Sequence, residues 1–163
     1  MKRKVFSVLV ANTAGVLNRV AALFSRRGYN IDSLTVGETE NPAYSRMTIV
    51  CKGDDEILEQ IEKQLNKKLD VIKVKTFKES QSISRELMLI KIKYNKNNRR
   101  DIMEICEIMS AQIVDMSKHY MMIQICDEPE NIKQLLVLLQ SISIVEVART
   151  GTLALSKCID LEK

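Results

Sequence analysis

The chain reads as an α+β protein made of two copies of one βαββαβ unit. Three observations predict this. Short segments carry apolar residues in alternation or in unbroken runs, as strands do. Four longer segments carry them at three- and four-residue spacing, as amphipathic helices do. The order of these segments over residues 4–77 is repeated over residues 87–150.

In the first unit, "KVFSVLVA" (4–11) predicts a strand. "AGVLNRVAALFSRR" (14–27) predicts a helix with Val16, Leu17, Val20, Ala21, Leu23 and Phe24 on its apolar stripe. Asn12 or Thr13 is the expected N-cap, Arg26 and Arg27 suit the C-terminal dipole, and Gly28 is a natural stop. "NIDSLTVGE" (30–38) and "YSRMTIVCK" (44–52) predict strands around a turn at Asn41-Pro42. "DDEILEQIEKQLNKKL" (54–69) predicts a helix capped by Asp54, with Ile57, Leu58, Ile61 and Leu65 inward. "DVIKVKTF" (70–77) closes the unit as a strand.

The polar segment "KESQSISRE" (78–86) is the expected linker. The second unit then runs strand (87–94), helix (97–110, Ile102, Ile105, Cys106 and Met109 inward), strands (111–117 and 120–126), helix (127–141, Pro129 in its first turn) and strand (142–150). The tail "GTLALSKCIDLEK" has no assignment. Two such units of about 75 residues imply two ferredoxin-like domains, each an antiparallel sheet with two helices on one face. The other face needs cover, because "VFSVLV" and "MTIV" are apolar on both sides. The domains can supply it by packing on each other, or the chain by dimerising; dimerisation is favoured.

Composition excludes several classes. At 163 residues, 45% hydrophobic and 28% charged, the chain is globular rather than disordered. No apolar run reaches the roughly 20 residues that span a bilayer. "MKRKVFSVLV" starts like a signal peptide but lacks a following cleavage site, so a cytoplasmic protein is expected. The net charge of +4 is scattered in small basic spots, not gathered in a nucleic-acid stripe. An RNA-binding module of the same element order needs paired aromatics on its central strands; aromatic residues total 4%. The cysteines show no CxxC spacing, and His119, in a hairpin-like turn, is the single histidine. Cys51, Cys106 and Cys126 lie in apolar runs and read as buried; Cys158 lies in a polar tail and reads as exposed. No nucleophile–base set, paired metal ligands or phosphate loop is present, so neither a catalytic residue nor a metal site is expected.

The informative stretch is "LVANTAGVLNRVAALFSRRGYNIDSLTVG" (9–37). A helix beginning near Gly15 presents backbone N–H groups without intrahelical partners, and its dipole favours an anion such as a carboxylate. Asn12 and Asn30 each offer an amide. They stand at opposite ends of the helix, about 20 Å apart if it is straight. One ligand reaches both only if Asn30 comes from a second protomer. An ordinary capping turn and an ordinary helix exit account for the same residues, and spacing alone favours that reading.

"NTAGVLNRVAALFSRRGYNIDSLTVG", "SRMTIV" and "LEQIEKQLNKKLDVIKV" resemble the small, regulatory subunits of acetolactate synthase. In the second half "SRELMLIKIK", "QIVDMS" and "IVEVARTGTLALSK" resemble the start and the close of that family's C-terminal domain. "KYNKNNRRDIMEICEIMS" and "CIDLEK" do not follow the pattern. The resemblance implies an amino-acid-binding ACT domain over 1–77 that also dimerises, the linker 78–86, and a related C-terminal domain over 87–163. It implies a non-catalytic homodimer that binds and activates a large catalytic subunit and confers feedback inhibition by valine or a related branched-chain amino acid. Thiamine diphosphate, a divalent metal and FAD would bind the catalytic subunit alone. Carried over by motif, Asn12, Gly15, Val16 and Leu17 line one side of the effector site, and Asn30 and Ile31 of the second protomer line the other. The N–H groups of Val16 and Leu17 would hold the carboxylate at Gly15. The alternative is a free-standing ACT-domain amino-acid sensor with another protein partner; neither reading involves nucleic acid or membrane.

Overall fold

The computed structural model describes residues 2–77 and 81–158. They form two compact units, Met1–Ile83 with Thr152–Lys163, and Ser84–Gly151.

The first unit runs β1 (Lys2–Ala11), α1 (Val16–Arg26), β2 (Ser33–Glu38), β3 (Tyr44–Gly53), α2 (Asp55–Asn66) and β4 (Val71–Thr76). Its sheet has the order β2-β3-β1-β4 with antiparallel pairing throughout, as the expected ferredoxin-like fold requires. Register follows from alternation. Phe6 pairs with Ile49 and Val8 with Met47, and all four turn toward the helices and are buried. Val16, Val20, Leu23 and Phe24 of α1 and Leu58, Ile61 and Leu65 of α2 complete this core. Leu17 leaves the expected stripe: it is 44% exposed.

The helix ends test the capping expectations. Asp54 caps α2, its carboxylate accepting from the Ile57 N–H at 2.9 Å. Gly28, at φ 67°, closes α1 with the Tyr29 N–H on the Phe24 carbonyl and the Gly28 N–H on the Ser25 carbonyl, a Schellman arrangement. At the start of α1 the expectation is corrected. The N-cap residue is Gly15, in the left-handed region at φ 84°, and no side chain caps it. The Asn12 amide is engaged elsewhere, as described below.

The second unit runs β5 (Ser82–Lys93), α3 (Arg99–Ile108), β6 (Gln112–Met116), β7 (Tyr120–Asp127), α4 (Pro129–Leu138) and β8 (Ser143–Arg149). Its sheet order, β6-β7-β5-β8, repeats that of the first. Met88, Ile90 and Ile92 of β5 and Met121, Ile123 and Ile125 of β7 face Ile102, Cys106, Ile132 and Leu135. Cys126, expected inside, is exposed: it follows Ile125 by one residue and so points to the opposite face of the sheet. Cys51 and Cys106 are buried and Cys158 is exposed.

The boundaries depart from the expected division. β5 already begins at Ser82, inside the expected linker, of which 78–80 lie outside the described residues. The tail forms a further strand, β9 (Leu153–Ser156), that pairs with β5, and the described residues from Thr152 onward group with the first unit. The reason is hydrogen bonding. The Thr152 N–H donates to Ser33 Oγ at 2.8 Å, the Thr35 hydroxyl donates to the Thr152 carbonyl at 3.3 Å, and Arg3 donates to the Thr152 hydroxyl at 3.2 Å. Ser33 and Thr35 pair with Val50 and Thr48, on the sheet face away from the helices. Part of the cover that this face needs therefore comes from the chain's own end, and Thr152 and Ala154 are buried there.

Candidate functional site

The loop between β1 and α1 lies at one end of the first sheet, tied on both sides. The Asn12 N–H donates to the Ala43 carbonyl at 2.8 Å, and the Ala11 N–H donates to the Asp70 carbonyl at 2.9 Å. The loop is thus held between the β2–β3 turn and the α2–β4 turn.

Asn12 builds this platform. Its Nδ2 donates to Glu38 Oε2 at 3.2 Å and to the Pro42 carbonyl at 2.9 Å, and its Oδ1 accepts from Ser45 Oγ at 3.0 Å. Both amide hydrogens are used, so the residue braces β2 and β3 against the loop. The side chain of Val16 is 3% exposed and belongs to the core, which leaves only its backbone to a ligand. The Val16 N–H makes a long 3.4 Å bond to the Thr13 carbonyl. The first i→i−4 bond of α1 runs from the Arg19 N–H to the Gly15 carbonyl, at 3.0 Å. The N–H groups of Leu17 and Asn18 precede it and have no such partner within the helix. Leu17, partly exposed, is the apolar side chain beside them.

Asn12, Gly15, Val16 and Leu17 are therefore brought together. Asn30 and Ile31 of the same chain are not: they stand beyond the far end of α1. The Asn30 amide donates to Asp32 Oδ1 at 3.0 Å, and Asp32 pairs with Lys52 at 3.2 Å. Ile31 is half-buried and packs on the first core.

Sequence reasoning missed Arg19 and Asp70. Arg19 Nε and Nη2 bind Asp70 Oδ2 and Oδ1 at 2.6 and 3.0 Å. The hydrogen bond from Arg19 holds the Asp70 carboxyl below its ordinary range, and the same bond raises Arg19. The guanidinium lies over Gly15: a Cβ on that glycine would stand 2.9 Å from Arg19 Nη1. The four-residue spacing from Gly15 to Arg19 was a usable signal, since it places the side chain above the glycine. Asp70 gave none, being 51 positions away.

The remaining chemistry-bearing residues are spread out. Burial, then Asp32, pushes the Cys51 thiol up to about 11, and burial raises Cys106, so neither is a poised nucleophile. His119 is exposed in its turn. Among the described residues no group of three or more His, Cys, Asp or Glu could hold a metal ion. An open cleft along α3 carries Lys96, Arg99 and Arg100 but also Glu104 and Glu107, charges of both signs without a common focus. Among the described residues no helix is long and apolar enough to cross a membrane.

Comparison with known proteins agrees over both units. Residues 6–73 match the family described as "AHAS small subunit-like ACT domain", and residues 85–158 match "Small subunit of acetolactate synthase". The sequence is 44% identical to the probable acetolactate synthase small subunit of Methanothermobacter thermautotrophicus, over 94% of this chain and 92% of that one. It is 42% identical to the acetolactate synthase isozyme 3 small subunit of Escherichia coli, over 95% of this chain and 96% of that one. The crystal structure of the acetolactate synthase small subunit from Thermotoga maritima superposes with a TM-score of 0.88 at 38% identity, covering 96% of this chain and 98% of that one.

Proposed function

Because the chain belongs to the acetolactate synthase small-subunit family, we propose that it is the regulatory subunit of an acetolactate synthase: it binds and activates the catalytic subunit and makes that subunit sensitive to valine. The single observation that carries the effector part is the start of α1. Gly15 opens the backbone without a side-chain cap, the N–H groups of Leu17 and Asn18 lack intrahelical partners, and the Arg19 guanidinium stands close by. This arrangement suits the carboxylate of an amino acid, with Leu17 beside it for an aliphatic side chain. One methylene is worth only about 1–3 kcal/mol, so leucine and isoleucine compete with valine.

The site is half a site in one chain. Asn30 and Ile31 complete it from a second copy, which makes the working form at least a homodimer. The ordering of Asn12 sharpens its role. Its amide holds the loop in shape, and its remaining acceptor capacity is what a ligand ammonium group can use. Thiamine diphosphate, the divalent metal and FAD belong to the catalytic partner, in the cytoplasm, in the biosynthesis of the branched-chain amino acids. Nucleic acid and membrane have no part in it. Inhibition follows if valine binds the less active arrangement of the complex more tightly. A coupling of roughly 1–3 kcal/mol gives about 5- to 150-fold regulation.

The test is reconstitution. Purified chain is titrated into its catalytic subunit, and acetolactate formation is followed with and without valine. Activation that valine reverses supports the proposal. A catalytic subunit whose rate and valine response ignore the added chain would overturn it.

A further inference from the structure

This inference rests on the effector reading and concerns Arg19, which that reading takes from the structure alone. Arg19 stands one helical turn after Gly15. Asp70 holds one edge of its guanidinium through Nε and Nη2, at 2.6 and 3.0 Å. Asp70 is itself fixed, since its carbonyl accepts the Ala11 N–H. The bidentate contact sets the plane of the fork, so the direction of the other edge is not free. That edge, Nη1, lies 2.9 Å from where a Cβ on Gly15 would stand. Among the described residues Nη1 has no protein acceptor. Nη1 therefore lies beside Gly15, the residue from which the first turn of α1 starts.

An isolated exposed ion pair needs no such seat. Here the absence of a side chain at Gly15 serves two purposes: it permits φ 84° and it leaves room for the guanidinium. We infer that Arg19 contacts the effector, donating from Nη1 to the α-carboxylate, and that Asp70 is the positioning residue that aims it. A carboxylate offers two acceptor oxygens, one for the backbone N–H groups and one for Arg19. An amide or alcohol in its place lacks the charge that makes such bonds strong. The site would thus select for a free α-carboxylate, whatever aliphatic side chain follows.

The test measures valine and valinamide binding to the full-length chain by calorimetry, with thermal melts of every variant. The wild-type chain should prefer valine strongly. Arg19→Gln should weaken valine by roughly 10- to 100-fold, the scale of a charged hydrogen bond, and leave valinamide nearly unchanged. Asp70→Asn, which removes the carboxylate that aims the fork but keeps the Arg19 guanidinium, should weaken valine less. If Arg19→Gln melts too early to be read, Arg19→Lys carries the same expectation, because an ammonium paired with Asp70 has no second edge. Equal losses for valine and valinamide would mean a structural role and overturn the inference. So would valine binding at the wild-type level in the variant. A wild-type chain that binds no valine would instead remove the effector reading, and this inference with it.

Discussion

Replacing Gly15 by Asp perturbs the site in three separable ways. The residue sits at φ 84°, where a non-glycine residue costs about 1–2 kcal/mol. The new Cβ meets Arg19 Nη1 at 2.9 Å, so the guanidinium must withdraw. This second cost is small, because what yields is an exposed ion pair, Arg19 with Asp70, and such pairs contribute little to stability. The new carboxylate then lies at the start of α1, where the dipole returns about 0.3–1 kcal/mol. The net destabilisation is about 1 kcal/mol, and a chain of this size should melt only roughly 2–4 °C lower. Binding suffers far more. The ligand carboxylate would meet a like charge and lose Arg19, a loss of about 100-fold or more in valine affinity. Gly15→Ala separates these effects: it keeps the strain and the displacement of Arg19 without the charge, so about a tenfold loss is expected. The assay is calorimetry with valine, paired with a thermal melt and with valine inhibition of the reconstituted enzyme. The expected product is a folded subunit that still activates its partner but ignores valine. Wild-type affinity in Gly15→Asp would refute the placement of the carboxylate. Joint loss of fold, activation and binding would refute the estimate that strain at Gly15 is minor.

Asn30→His should also weaken valine, and mixing it with Gly15→Asp chains should restore one intact site per heterodimer if the two residues come from different protomers; calorimetry on the mixture decides. Acid stability should carry the signature of Asp70. Its folded pKa is depressed by the hydrogen bond from Arg19, so the stabilisation is complete above about pH 4 and is lost as pH falls through the lowered folded value. Urea denaturation at pH 3 and pH 7 should show a smaller pH dependence in Asp70→Asn than in the wild-type chain. In a thiol titration of the native chain at pH 8, Cys126 and Cys158 should react quickly, while Cys51, pushed up to about 11, and buried Cys106 should need denaturant. A chain ending at Gly151 loses the bonds of Thr152 to Ser33, Thr35 and Arg3 and should be less stable by about 2 kcal/mol in urea unfolding.

The two βαββαβ units were legible because periodicity reports which face of an element is buried. Val8 and Met47 alternate inward, Val20 and Phe24 recur at helical spacing, and both facts are local. Asp54 as a cap and Gly28 as a stop were legible for the same reason: each acts within one turn of its own helix. The ends of elements were less so, since β5 starts at Ser82 within a polar stretch that gains strand character only by pairing. Cys126 shows the limit of an apolar run, because one step along a strand reverses the face. The roles of Asn12, Arg19 and Thr152 were decided by tertiary structure alone. Asn12 reads as a cap until β3 brings Ser45 to its carbonyl, Arg19 has no assigned role until the α2–β4 turn brings Asp70, and Thr152 reads as tail until Ser33 meets it. Local sequence sets each backbone and each buried stripe; a polar side chain takes the partner that the folded chain delivers to it, from 33, 51 or 119 positions away.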